Sequence, residues 1–184
     1  MSTPDPVRHA ALQAVIGEVE THVAEAGWDQ PAQLFALVET NELLRTEPQL
    51  AQTMGLVGSP GALTPVLQDA LSDGPLDEAL AGIEFGEQVL GVVLAHEVVV
   101  LPPSAEAELD AAGLVDPEEA ARHPEARDVR MVVGVLRGGG QAAVLRLRAT
   151  EDDGIDDRVT GPDLAPALAA ALAATLTAGP RPYA

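Results

Sequence analysis

The stretch DVRMVVGVLRGGGQAAVLRLRA, residues 128–149, places two runs of alternating apolar residues on either side of three glycines. Two β-strands joined by a glycine-rich turn give this pattern, so it predicts a β-hairpin. If Arg137 faces Gln141 across the turn, Val135 meets Ala143, and every second residue from there lies on the same apolar face. We expect that face of the hairpin to pack into the core.

The other face of the predicted hairpin carries arginines. The same pairing sets Val132 opposite Arg146 and Arg130 opposite Arg148, and like charges that face each other across a sheet are destabilising. We therefore identify Arg130, Arg146 and Arg148 as candidate residues for binding an anion or a partner.

Two interpretations of these arginines remain open. Either carboxylates of the same chain neutralise them, or they contact an anionic ligand or an acidic partner. Internal pairing is favoured because the chain has 29 acidic residues and only ten basic ones, and because arginine readily makes bidentate contacts with carboxylates. The acidic partners we expect are Glu39, Glu97 or the loop at 151–157.

The segments around the hairpin alternate between helical and extended patterns. Asp5 can cap a first helix, whose apolar residues recur at helical spacing until Gly27. QLFALVE (33–39) predicts a central strand covered on both sides, and LTPVLQDA (63–70) an edge strand containing a proline. QVLGVVLAHEVVVL (88–101) predicts a strand with a bend or bulge near His96. The remaining predicted helices are TNELLRTEPQLAQTMG with a break at Pro48, PLDEALAGI, a helix starting at DPEE (116–119), and a last helix with a stripe at Leu164, Leu168, Leu172 and Leu176.

Together these patterns predict an α+β fold, with a mainly antiparallel sheet of four to five strands flanked by N-terminal and C-terminal helices. Residues 1–178 are expected to form one domain, and residues 179–184 a flexible tail. The apolar helices could also pair two copies of the chain, which would give a homodimer.

Composition narrows the classes of function. The formal net charge is −19, which opposes binding to a phosphate backbone, so we expect no nucleic-acid partner. The chain has no cysteine, which removes thiolate chemistry and sulfur-ligated metal sites. No apolar stretch reaches the roughly 20 residues of a membrane span, and the first residues do not resemble an export signal. These features predict a cytoplasmic protein with no membrane contact.

The pair His96-Glu97 invites comparison with a zinc protease motif. Such a motif needs a second histidine four residues later, but Val100 stands there. The surrounding β-branched residues favour a strand, in which His96 and Glu97 point to opposite faces. The acidic loop EDDGIDD (151–157) lacks the ligand spacing of a calcium loop, and VGSPG (57–61) lacks the first glycine of a nucleophile elbow. We expect no catalytic residues, no metal and no cofactor.

Several segments in order resemble a family of conserved actinobacterial proteins of unknown function, typed by a Propionibacterium reading frame. The resemblance runs from about Gly27 to Leu176 and is carried by GWDQPAQLFALVET, VVLPPSAEAEL, HPEARDVRMVVGVLR, AVLRLRA and GPDLAPALAAALAATL. It implies an actinobacterial origin and a cytoplasmic location, and it implies no activity. The order of the elements is also similar to the acidic α+β fold of type III secretion chaperones, in topology alone.

No set of acid, base and nucleophile converges in the sequence. We therefore expect a non-enzymatic protein-binding or adaptor module, similar in kind to a chaperone. The alternative is a small-molecule-binding protein or a hydrolase of unknown substrate. A deep pocket lined by His96 or His22, with carboxylates within hydrogen-bond reach, would favour the enzyme.

Overall fold

The computed structural model describes residues 5–113, 116–150 and 157–177. The predicted tail at 179–184 and most of the acidic loop at 151–157 lie outside these ranges. Within them, the helices are α1 (Pro6–Glu25), α2 (Thr40–Thr46), α3 (Pro48–Thr53), α4 (Leu76–Ala81), α5 (Pro103–Ala111), α6 (Pro117–Ala121) and α7 (Pro166–Thr177). The strands are β1 (Gln33–Glu39), β2 (Leu63–Leu67), β3 (Gly91–Val100), β4 (Arg127–Leu136), β5 (Gln141–Leu147) and β6 (Asp157–Gly161).

All six described strands form one antiparallel sheet in the order β2-β1-β3-β4-β5-β6. The α+β class and the antiparallel sheet are confirmed, and β2 with Pro65 lies at an edge as expected. The predicted count of four to five strands is too low, because β6 was not predicted. That strand is five residues long and mostly exposed on both faces, so it has no apolar alternation that would identify it; its pairing with β5 defines it.

The predicted hairpin is confirmed, but its register is shifted by two residues. Val135, and not Arg137, pairs with Gln141, so Arg130 faces Arg146. Arg137 lies in the turn, where its guanidinium donates to backbone carbonyls outside the hairpin, at Val89, Phe85, Gly86 and Leu176. A shift of two residues leaves each side chain on its predicted face, because side chains in a strand alternate with a period of two.

Strand β3 pairs with β4 without interruption over ten residues, from Gly91 opposite Leu136 to Val100 opposite Arg127. Of the expected bend or bulge near His96, the bulge is therefore wrong. The long strand is accommodated because β4 has the same length and continues beside it to the end.

Helix α1 covers one face of the sheet. Asp5 caps it by accepting a hydrogen bond from the Val7 amide at 3.0 Å, and its apolar stripe is buried against residues of five strands (Phe35, Leu37, Leu63, Val93, Ala95, Val132, Leu136, Ala142 and Val144). The helix comes close to the sheet at Gly134, where an added Cβ would lie 2.9 Å from Ile16 and 3.0 Å from Leu12. The sequence predicted a core on only one face of the hairpin, whereas both faces are covered.

Helices α4 and α7 cover the opposite face. Leu80 from α4 and Leu172 and Leu176 from α7 pack against the alternate residues of the central strands, among them Leu34 and Leu94. Strand β1 therefore contributes to both cores, as its apolar residues on both faces predicted. The result is three layers, with the sheet in the middle.

Candidate functional site

Four charged residues lie side by side on the α1 face of the sheet, one on each of four neighbouring strands. The registers place Glu97 of β3 beside Arg130 of β4, Arg130 beside Arg146 of β5, and Arg146 beside Arg158 of β6. We call this set the charged row. Three adjacent guanidinium groups would repel each other in isolation, so carboxylates near the row determine whether it is stable.

Arg130 is the buried centre of the row, with a side chain only 2% exposed. Its Nε and Nη2 atoms both donate to Oε1 of Glu97, at 3.1 and 2.7 Å. Nη2 also donates to the carbonyl of Gly27, and the guanidinium lies 4.5 Å from the ring centroid of Trp28. The carboxylate and the carbonyl satisfy donors of the buried guanidinium and offset the cost of its desolvation, and the ring face attracts the cation.

The second carboxylate oxygen of Glu97 holds the loop between α1 and β1. It accepts the backbone amides of Asp29 at 2.8 Å and Gln30 at 3.2 Å. Asp29 has a φ of 66°, which is uncommon for a residue other than glycine and has to be maintained by its surroundings. Glu97 therefore links Arg130 to this loop, because one carboxylate oxygen accepts from the guanidinium and the other from the loop amides.

Glu20 of α1 neutralises the other end of the row. Its side chain is 4% exposed, and its two oxygens lie 2.5 Å from Nε of Arg146 and 3.6 Å from Nε of Arg158. One buried carboxylate therefore bridges two arginines that face each other across β5 and β6.

Arg148 lies just beyond β5 and close to the same loop. Its Nη1 atom is 3.1 Å from Asp128 and 3.4 Å from Asp29, and its guanidinium lies 5.5 Å from the centroid of Trp28. The side chain is 39% exposed. Trp28, Arg148 and Arg158 form the accessible part of this region, which we call the arginine–tryptophan surface.

The structure places all three predicted arginines on one face and gives each a carboxylate. Of the expected acidic partners, Glu97 is confirmed for Arg130, whereas Glu39 makes no ion pair among the described residues. The partners that sequence reasoning missed are Glu20, Asp29 and Asp128. Glu20 could have been found, because it lies four residues after Ile16 on the apolar stripe of α1, where a carboxylate needs a buried cation.

A second candidate site lies on the opposite face of the sheet, where His96 lines a cavity of about 400 Å³. Strands β1, β2 and β3, the segment 68–75 and the start of α4 line it, and it is open to solvent. Its apolar lining consists of Pro31, Ala32, Leu34, Leu67, Ala70, Leu71, Leu76 and Ala79, and its polar lining includes Gln33, Gln68, Asp69, Ser72, Asp73 and His96. We call it the His96 cavity.

Most polar side chains of the His96 cavity have no partner among the residues that the structure describes. Those of Gln33, Asp69, Asp73 and His96 make no hydrogen bond or ion pair with any residue in the described ranges. His96 and Glu97 lie on opposite faces, as predicted, because the Glu97 carboxylate is held on the α1 side. Across the described residues, no three His, Asp or Glu side chains are close enough together to hold a metal ion.

Burial in the cavity wall lowers the pKa of the His96 imidazole, and the nearby Glu97 carboxylate offsets part of that shift. An unfolded chain takes up this proton near pH 6.5, whereas the folded chain takes it up only at lower pH. Below about pH 6.5 the unfolded state therefore binds more protons, and His96 makes the folded state less stable as the pH falls.

Replacing His96 with glutamine is expected to remove this contribution. The free energy of unfolding of His96→Gln should fall less steeply than that of the natural protein as the pH decreases from 6.5 toward 5. Urea unfolding at several pH values measures the slope. His22→Gln, at an exposed position of α1, is the control, and equal slopes for His96→Gln and the natural protein would contradict the assignment.

Comparison with known proteins identifies a family. A family model described as "PPA1309-like protein" matches residues 12–177. No curated protein and no solved structure matches the chain. Among the described residues, no helix is both long and apolar enough to cross a membrane. The family match covers most of the sequence and confirms the resemblance to a family typed by a Propionibacterium reading frame, so the chain belongs to the PPA1309-like protein family.

Proposed function

We propose that this protein is a non-enzymatic binding module and that the His96 cavity holds a small-molecule ligand. The supporting observation is a contrast between the two polar sites. Arg130 pairs with Glu97, and Glu20 pairs with Arg146, whereas His96 lines a cavity and makes none of its possible hydrogen bonds with a described residue. A ligand that supplies those hydrogen bonds would gain free energy from them.

The cavity has the size and lining that ligand sites commonly have. Its volume of about 400 Å³ falls in the usual range of roughly 300–1,000 Å³, and such sites combine apolar walls with a few polar groups that orient the ligand. Ser72 and His96 both line the cavity but share no hydrogen bond, so the lining offers no nucleophile paired with a base. This favours binding over the alternative of a hydrolase.

Blocking the cavity tests the proposal. Ala70 is exposed and lines the cavity, so Ala70→Trp is expected to obstruct it at little cost in stability. The Tm of the natural protein is measured in the presence of each compound of a metabolite library. A ligand present at about 100 times its Kd should raise this Tm by roughly 5–10 °C. The same compounds should leave the Tm of Ala70→Trp unchanged.

The matched control is Ala112→Trp, which adds the same side chain at an exposed position after α5. It should respond like the natural protein. The proposal fails if no compound raises the Tm, or if the compounds that do so stabilise Ala70→Trp equally.

A second candidate function is the binding of an acidic protein partner, as an adaptor or chaperone-like module would do. It is supported by the arginine–tryptophan surface, where Arg148 and Arg158 are 39% and 44% exposed in a chain of net charge −19. Arg148→Ala should lose the binding of such a partner, whereas Ala70→Trp should retain it. Added salt should weaken this binding in the natural protein. The cytoplasmic location and the homodimer stay predictions.

A further inference from the structure

The residues that line the His96 cavity indicate which charge its ligand has. Part of the lining is apolar, with Leu34 and Ala79 buried and Leu71 and Leu76 half-buried. Asp69 and Asp73 lie on the segment 68–75, which forms one wall, and both are exposed. A ligand in this space would place an apolar body against the leucines and its polar end near the two carboxylates.

The polar groups of the lining are suited to hydrogen-bond donors. Two carboxylates accept hydrogen bonds and provide none when ionised, and a neutral imidazole has one nitrogen that accepts. Because its pKa is lowered, His96 is neutral at pH 7 and does not repel a cation. The net charge of −19 further concentrates cations near the protein and opposes the approach of anions.

A metal ion does not fit this arrangement. Asp69, Asp73 and His96 belong to the described residues, and no three such side chains are close enough to coordinate one ion. Asp69 and Asp73 lie on the segment 68–75, and His96 lies on β3, in the lining of a cavity of about 400 Å³. The arrangement therefore suits a cation that is itself part of a larger molecule.

We propose that the His96 cavity selects an organic cation, namely a primary ammonium group carried on an apolar body, with Asp69 and Asp73 near the ammonium and the leucines around the body. This inference rests on the proposed function, since it names the class of ligand for the same cavity. The carboxylates determine the sign of the charge, while the apolar lining accounts for binding of the body. The two contributions can therefore be separated by experiment.

Calorimetric titration of the full chain at pH 7.5 with hexylamine, 1-hexanol and hexanoate isolates the head group, because all three have a six-carbon chain. Hexylamine should bind about tenfold more tightly than hexanol, and hexanoate more weakly than hexanol. Asp69→Asn and Asp73→Asn should each reduce hexylamine affinity about threefold and leave hexanol affinity unchanged. Glu18→Gln, which removes an exposed carboxylate from α1, should have no effect on either ligand.

Added salt should weaken the binding of hexylamine and not that of hexanol. The inference is overturned if hexanoate or hexanol binds as tightly as hexylamine, if none of the three binds, or if Asp69→Asn and Asp73→Asn leave the preference unchanged. Its failure is distinct from failure of the proposed function. A compound that stabilises the natural protein but not Ala70→Trp would keep the cavity as a ligand site even if amines were not preferred.

Discussion

Replacing Arg130 with methionine is expected to lower the free energy of unfolding by about 3–5 kcal/mol, the usual cost of removing one partner of a buried ion pair. Methionine keeps most of the side-chain volume, so the loss comes from charge and hydrogen bonding. It leaves Glu97, whose side chain is 17% exposed, without its cation. It also removes the donor to the Gly27 carbonyl and the contact with the Trp28 ring.

The matched control is Arg45→Met. Arg45 pairs with Glu42 at 2.5 Å, but these side chains are 72% and 52% exposed, so the loss should be far smaller than at Arg130. Urea unfolding of both variants measures the difference. A loss below 1 kcal/mol for Arg130→Met would contradict the structural role given to the charged row.

The double variant Arg130→Met with Glu97→Leu tests why the pair is retained. Replacing a buried ion pair with apolar side chains is often neutral. Here it should recover only part of the stability, because the amides of Asp29 and Gln30 lose the carboxylate oxygen that accepts their hydrogen bonds.

The second large effect is expected at Glu20. Glu20→Gln should lower the free energy of unfolding by about 2 kcal/mol, because Arg146 and Arg158 would lose the buried carboxylate that lies between them. The loss is smaller than at Arg130, since these arginines are 24% and 44% exposed and water can solvate them. Glu18→Gln, at an exposed position of the same helix, should change the stability by less than about 0.5 kcal/mol.

A double-mutant cycle with Arg146→Gln separates this interaction from general effects on α1. The losses for Glu20→Gln and Arg146→Gln should not add, since both remove the same ion pair, and a coupling energy of about 1 kcal/mol or more is expected. Strictly additive losses would show that Glu20 does not stabilise the row through Arg146.

Local patterns predicted most of the fold. Alternation identified β4 and β5, apolar residues on both faces identified β1 as a central strand, and helical spacing with an Asp5 cap identified α1. These elements are determined by side chains close in sequence, together with their burial. Strand β6 could not be predicted in the same way, because pairing with β5 and not its own composition makes it a strand.

The sites were only partly predictable for a similar reason. Sequence alternation placed Arg130 and Arg146 on one face, but it did not reveal that Arg137 lies outside the strand pairing, with acceptors about 40–50 residues away along the chain. The bridge from Glu20 to Arg146 spans 126 residues, and no local pattern encodes which helix crosses which strand. The His96 cavity arises where the segment 68–75 lies beside β1 and β3, a placement that depends on packing of the whole domain.

The central claim is that the charged row stabilises the fold whereas the His96 cavity binds the ligand. Hydrogen–deuterium exchange in the presence and absence of the most stabilising metabolite tests it most directly, because exchange reports where backbone amides become protected. The account predicts slower exchange in the segment 68–75 and at the start of β1, with no change at 27–30. Protection at 27–30 and near Arg148, without any at 68–75, would contradict it and assign binding to the arginine–tryptophan surface.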